Sequence, residues 1–215
     1  SAIVPFGKVM KGKIKTCFLD AYNISSDSVT PQWENLPEYI SVMTAPKTIP
    51  AGEQATLTFY INTLKCPTWG MVEDSVTLIP DTKSEYRIPV TATTIISEDF
   101  SKLTPGQLMK APAIAAPDRV NCGTIQHNSG IISQEFKIEN FGKDDLLIRR
   151  ISTFDPGIEI SINKEKIKKG KTATVTIKID TAKISDIVLN SRLTIISNDP
   201  ERPEIIVRIV GEITK

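Results

Sequence analysis

Residues 50–63, PAGEQATLTFYINT, return at 168–181 as KKGKTATVTIKIDT: Gly52 answers Gly170, Ala55-Thr56 answers Ala173-Thr174, Ile61 answers Ile179 and Thr63 answers Thr181. Inside both stretches the apolar residues alternate with polar ones. Leu57, Phe59 and Ile61 are set against Thr56, Thr58 and Tyr60, and Val175, Ile177 and Ile179 against Thr174, Thr176 and Lys178. Side chains of a strand point to opposite faces in turn, so a period of two marks a strand that is buried on one face only.

The repeat extends in both directions at a shift of about 117 residues. FGKV (6–9) faces CGTI (122–125), CFLDAYNISSDSV (17–29) faces QEFKIENFGKDDL (134–146), and VTLIPDTKSEYRIPVTA (76–92) faces LTIISNDPERPEIIVRI (193–209). Each copy offers about seven short strands, punctuated by Gly, Pro, Asn and Asp, within ~100 residues, which is the count and spacing of an immunoglobulin-like sandwich. The fold expected is all-β: two tandem immunoglobulin-like β-sandwiches, at 1–96 and 113–215, joined over 97–112 by an ordered linker with a short helix. That helix has Thr104 as N-cap, Pro105 at the first position and Gln107 closing a capping box. Phe100, Leu103 and Leu108 are expected to pack it on a domain, and the segment lacks the Gly/Ser composition of a floppy tether.

Lys plus Arg number 26 and Asp plus Glu 25, so no net field draws in nucleic acid or an anionic membrane surface. No apolar run approaches the ~20 residues of a membrane span, and the first residues lack the apolar core of a signal peptide. His127 is the sole histidine, which excludes two-His metal sites; its setting, TIQHNSGII, reads as a hairpin tip. A phosphate loop, a GxSxG elbow and HExxH are all missing, so neither catalysis nor a cofactor or metal has residues to rest on. Asp144-Asp145 and Glu73-Asp74 are sequence neighbours, which in strands point apart and so do not make a glycosidase pair. The basic run KEKIKKGK (164–171) corresponds to a strand-connecting loop of the first copy and lacks interleaved aromatics.

Three cysteines remain. Cys122 stands where the first copy has Phe6 and reads as a small buried hydrophobe. Cys17 has the inward parity of its strand and Cys66 lies in the loop TLKCPTWG. In an oxidising compartment these two are candidates for a disulfide, provided their Cα atoms come within bonding range. Trp33 and Trp69 fall in or beside loops, either as plugs over the sandwich or as exposed binding anchors. Arg149-Arg150 is the basic pair available to hold a carboxylate, or the solvated end of a strand.

The segments CGTI, FKIENFGKDDLLIRRI, KKGKTATVTIKIDT and LTIISNDPERPEIIVRIVGEI, with EDFSKLTP ahead of them, resemble the domain of unknown function 1573 family. These are immunoglobulin-like modules of Bacteroidota envelope proteins, similar in shape to ciliary (ASH, Hydin-like) and major-sperm-protein domains. Many members carry a Cys-Gly-Cys-Thr segment where this chain has STFDPGIEISI (152–162), so a redox or metal role resting on those cysteines does not carry over. The resemblance implies a periplasmic or outer-membrane location and an exported precursor, often with a lipid anchor. That origin makes Ser28, Ser75 and Thr181 candidate O-glycosylation sites, in Asp27-Ser28-Val29, Asp74-Ser75-Val76 and Asp180-Thr181-Ala182.

The function expected is a non-catalytic protein-binding or scaffolding module of an envelope complex, such as a subunit of an outer-membrane or secretion assembly. The alternative is a periplasmic chaperone that binds client segments by strand addition, for which APAIAAPDRVN (111–121) is a candidate edge protected by its prolines. The acidic stretch Asn198-Asp199-Pro200-Glu201 reads as the turn between the last two strands, with too few oxygen ligands for calcium.

Overall fold

The repeated stretch forms an interior strand in both copies, paired on each side, which is why its inward residues are so uniformly apolar. A computed structural model describes residues 2–184 and 187–215, and the chain divides into two units, Ser1–Asp99 and Phe100–Lys215. The first has seven strands: β1 (Ala2–Met10), β2 (Ile14–Tyr22), β3 (Gln32–Glu34), β4 (Ile40–Ala45), β5 (Gln54–Asn62), β6 (Gly70–Ile79) and β7 (Ile88–Ser97). They make two sheets, ordered β1-β7-β6-β3 and β2-β5-β4. Leu57, Phe59 and Ile61 of β5 meet Val4, Phe6, Val76, Val90 and Ala92 of the facing sheet. A fully buried aliphatic side chain of this size contributes about 1.5–3 kcal/mol, so this interleaving is the main term holding the sandwich together.

The second unit repeats the plan with two short additions. After helix α1 (Pro105–Leu108) come β8 (Ile114–Ala115), β9 (Arg119–Gln126), β10 (Ile131–Asn140), β11 (Leu146–Thr153), β12 (Ile158–Ile162), β13 (Lys166–Ile167), β14 (Thr172–Asp180), β15 (Val188–Ser197) and β16 (Glu204–Thr214). Their sheets run β12-β14-β10-β8 and β13-β11-β15-β16-β9. Both units are immunoglobulin-like sandwiches in which the opening strand pairs parallel to the closing one, β1 with β7 and β9 with β16. Each opening strand breaks register once, beside Gly7 and Gly123, and both glycines have φ +66. A positive φ suits glycine, and the bulge resets parity so that Phe6 and Val9 both reach the core. Cys122, in Phe6's place, is half-buried and packs on the rim of the core, so it is less enclosed than expected.

The repeat also shows in the polar interior. Asn23 and Asn140 are buried at matching positions. Asn23 donates its side-chain amide to the carbonyls of Asp27 and Ile49, at 2.7 and 2.9 Å. Asn140 donates to those of Asp144 and Ile167, at 2.8 and 2.9 Å. A buried amide that satisfies loop carbonyls fixes the turn after β2 and β10 in the same way.

The capping box of α1 forms as expected: Gln107 N donates to Thr104 Oγ1 at 3.3 Å and Thr104 N to Gln107 Oε1 at 2.9 Å. The helix buries none of its residues, however, and Leu108 is exposed rather than packed, while Phe100 and Leu103 are half-buried. What holds this segment is backbone pairing: Phe141 N donates to Ala113 O at 2.9 Å and Lys143 N to Ala111 O at 3.1 Å. A Cβ on Gly142 would come within 2.4 Å of Ala111 O, so only glycine lets the two backbones meet there. The turn at His127 joins β9 and β10, which lie in different sheets, so it is a crossing between sheets and not a hairpin tip.

Candidate interaction surface

The residues singled out from sequence do not converge on one place. Trp33 is half-buried against the first core and stacks edge-on against Phe59, with ring centroids 5.1 Å apart. Trp69 packs beside Cys66, Val72 and Ile96, and the Lys11 ammonium sits 5.0 Å from its ring centre. Both rings therefore cover core. Arg149 and Arg150 lie half-buried at a register shift in β11 and share a shallow groove with Ile160, Ser161, Ile162 and Glu165. All three cysteines are free, which corrects the Cys17–Cys66 bridge: Cys17 packs on the first sandwich core, whereas Cys66 belongs to a separate small cluster. Burial raises the Cys122 thiol above its ordinary value.

Ser28 and Ser75 are exposed. Thr181 is only 1% exposed and donates its hydroxyl to Gly130 O at 2.7 Å, so the folded unit does not offer that oxygen to a glycan. Thr63 repeats the arrangement, its one hydroxyl proton lying between Lys13 O and Met10 O, each 2.8 Å from the oxygen. This threonine closes the same turn in each copy, which explains why it recurs in the repeat. Among the described residues no three of His, Cys, Asp and Glu stand close enough together to hold a metal.

One surface was not anticipated. On sheet β2-β5-β4 the inward row is Cys17, Leu19 and Ala21 with Leu57, Phe59 and Ile61. The other parity faces out, and on β2 that row is Ile14, Thr16, Phe18, Asp20 and Tyr22. Ile14 is 66%, Phe18 62% and Tyr22 68% exposed, and Met43 on β4 is 54% exposed. Phe18 and Met43 flank Thr58, which they bury, and Tyr60 lies between Thr16 and Ser41. Four large apolar side chains thus stand exposed on one sheet face, with Thr16, Asp20 and Thr58 between them.

The second unit supplies an internal comparison, because the two registers superimpose: Ile14 pairs with Asn62 as Ile131 pairs with Asp180. Phe18 then corresponds to Glu135, Tyr22 to Glu139, Tyr60 to Lys178, Met43 to Ser161 and Ser41 to Glu159. One fold thus presents a charged sheet face in the second copy and an aromatic one, with Asp20 as its lone charge, in the first. The signal was in the sequence: the outward residues of β2 break the rule that a solvent face is polar, and lining up the two copies picks them out.

The edge of β2 is open as well, since β2 ends its sheet. Lys13 O accepts from Thr63 N and Asn23 N donates to Glu53 O, which assigns the odd-numbered residues of this stretch to pairing with β5. Backbone groups alternate in an antiparallel ladder, so those of Thr16, Phe18 and Asp20 point away from β5. In the second unit β8 pairs with this same edge at Glu139–Asn140.

Two all-β sandwiches of immunoglobulin type, one carrying an apolar sheet face, define the class of protein. Residues 114–213, within the second unit, match the model of the family described as protein of unknown function (DUF1573). No curated protein matches the chain. A crystal structure of a protein of unknown function from Porphyromonas gingivalis W83 is similar in fold, with a TM-score of 0.71 and 17% identity over 97% of this chain and 96% of that one. The CupB2 chaperone of Pseudomonas aeruginosa aligns over 95% of both chains at 10% identity, but its TM-score of 0.31 is too low to carry an argument.

Proposed function

We propose that this protein is a non-catalytic interaction module that docks a protein partner through the outer face of β2-β5-β4, as part of a bacterial cell-envelope assembly. The observation that carries the reading is the replacement of Glu135, Glu139, Lys178 and Ser161 of one copy by Phe18, Tyr22, Tyr60 and Met43 of the other. Exposed aromatic residues supply large, rigid contact area at small entropic cost, which is what the centre of an interface needs. The envelope setting is what the sequence resemblance implies, and the lipid anchor and the glycans at Ser28 and Ser75 belong to the same proposal. The chaperone reading is less favoured, because Arg149 and Arg150 are half-buried and β2 brings no cation to its outward row.

The test is a photo-crosslinking residue placed at Phe18 and, as control, at Glu135, in the native host. A discrete adduct of one mass from position 18 and none from 135 is expected. Equal labelling at both positions, or a smear of many proteins from either, sinks the proposal.

A further inference from the structure

We infer that two copies of this chain pair through their β2 edges, antiparallel and centred on Phe18, to make one continuous six-stranded sheet. This narrows the interaction-module reading, on which it rests, to a second copy as occupant.

The geometry of β2 carries it. Its even-numbered residues hold both the outward backbone groups and the outward side chains. An isologous strand pair about a two-fold axis brings each residue opposite one on the partner, with the two positions symmetric about the axis. Centred on Phe18, that rule sets Phe18 opposite Phe18, Ile14 opposite Tyr22 and Thr16 opposite Asp20. The alternate pairs, Cys17 with Leu19 and Lys15 with Ala21, bring no like charges together. Of the three even-numbered pairs the first two are apolar or aromatic and the third places a hydroxyl donor against a carboxylate, so all three are favourable. Each of these is a pair that exchanges both backbone hydrogen bonds.

The second unit shows what guarding this edge looks like. The same register on β10 would set Glu135 against Glu135, a like-charge pair, and β8 already occupies the Glu139–Asn140 end. Charge and a covering strand are the usual protections of a free edge. β2 has no covering strand, and its two charges are Asp20, which the pairing sets against Thr16, and Lys15, which it sets against Ala21, so neither meets its like. A strand edge of nine residues buries less than the ~1,200 Å² of a standard interface, so the dimer is expected to be concentration-dependent, not obligate.

Sedimentation of the full chain over a concentration series, with amide hydrogen exchange at the two ends of the series, tests the pairing. Expected is a monomer–dimer equilibrium in which the amides of Thr16, Phe18 and Asp20 gain protection as concentration rises. Phe18→Glu, which installs the second copy's residue, should abolish the dimer and leave the monomer's Tm, read at the dilute end of the series, within the range of an ordinary surface change, since the side chain is 62% exposed. Asp20→Pro is the second variant, removing one outward N–H and no backbone bond to β5; the exposed side-chain contact from Thr56 Oγ1 to Asp20, at 3.4 Å, goes with it. A chain that stays monomeric throughout, a dimer that survives both variants, or a dimer whose Thr16, Phe18 and Asp20 amides stay unprotected overturns the inference. A monomer that still gives a discrete Phe18 adduct with a different protein overturns the pairing and leaves the interaction module standing.

Discussion

The Oδ2 atom of Asp199 accepts the backbone N–H of Ile114 at 2.9 Å, linking residues 85 positions apart. Its other oxygen accepts from Glu201 N at 2.9 Å and Arg202 N at 3.2 Å. The neighbouring Asn198 takes Leu147 N at 2.7 Å and donates to Asp145 O at 3.2 Å. The acidic stretch is therefore a buried tie. It shapes the β15–β16 hairpin, fastens that hairpin to β11, and holds β8 at the start of the unit.

Asp199→Ala leaves three backbone donors without their carboxylate. Hydrogen bonds to a charged group are worth about 1.5–3 kcal/mol, and an orphaned buried donor costs about as much. Allowing for relaxation and water entry, the second unit should lose about 3 kcal/mol, read as a lower urea midpoint at unchanged slope. A loss under about 0.5 kcal/mol, the size of an ordinary surface change, would contradict the tie.

The paired asparagines make a sharper case because each acts within its own unit. Asn23→Ala and Asn140→Ala each strand loop carbonyls in a buried setting, at a cost of about 2–3 kcal/mol. Since the residues share no partner, the double variant should equal the sum of the singles within about 0.5 kcal/mol. Coupling well beyond that, measured by chemical denaturation of all four proteins, would mean the two units do not respond independently.

Much of the fold is legible in the sequence, because two independent signals agree. Period-two alternation named the strands, and the repeat fixed which segments correspond. The capping box of α1 was legible because it depends on residues three apart. Leu108 was misjudged because a helix of one turn can be held by the flanking backbone, here at Ala111 and Ala113, without burying a face. The Cys17–Cys66 suggestion failed because parity says which face a residue takes and nothing about which cluster lies beneath it. The apolar face on β2-β5-β4 was missed for a related reason: Phe18, Tyr22, Tyr60 and Met43 lie on three strands, and only the register brings them together.

The thiols give a direct check. Unfolded without reductant, the chain should titrate three free thiols, and the same three with reductant. A count of one without reductant would restore a disulfide. In the folded protein Cys122 should react slowly at mildly alkaline pH, because burial raises its thiol and the thiolate is the reactive form.

Tyr39 predicts an alkaline limb to stability. Burial, and then the Asp74 carboxylate that accepts its hydroxyl proton at 2.8 Å, hold this phenol well above its ordinary value. In the unfolded chain it ionises near pH ~10. A group whose folded pKa is raised contributes stability that is whole below the unfolded value and is lost as pH climbs toward the folded one. The first unit should thus melt at steadily lower temperature above pH ~10, where the unfolded phenol ionises. Tyr39→Phe removes the titrating group and the Asp74 bond together. Its Tm should be lower than wild type at neutral pH and fall less steeply through the alkaline range. If the two proteins decline in parallel from neutrality upward, the alkaline loss comes from other groups and Tyr39 does not hold its proton in the way the geometry requires.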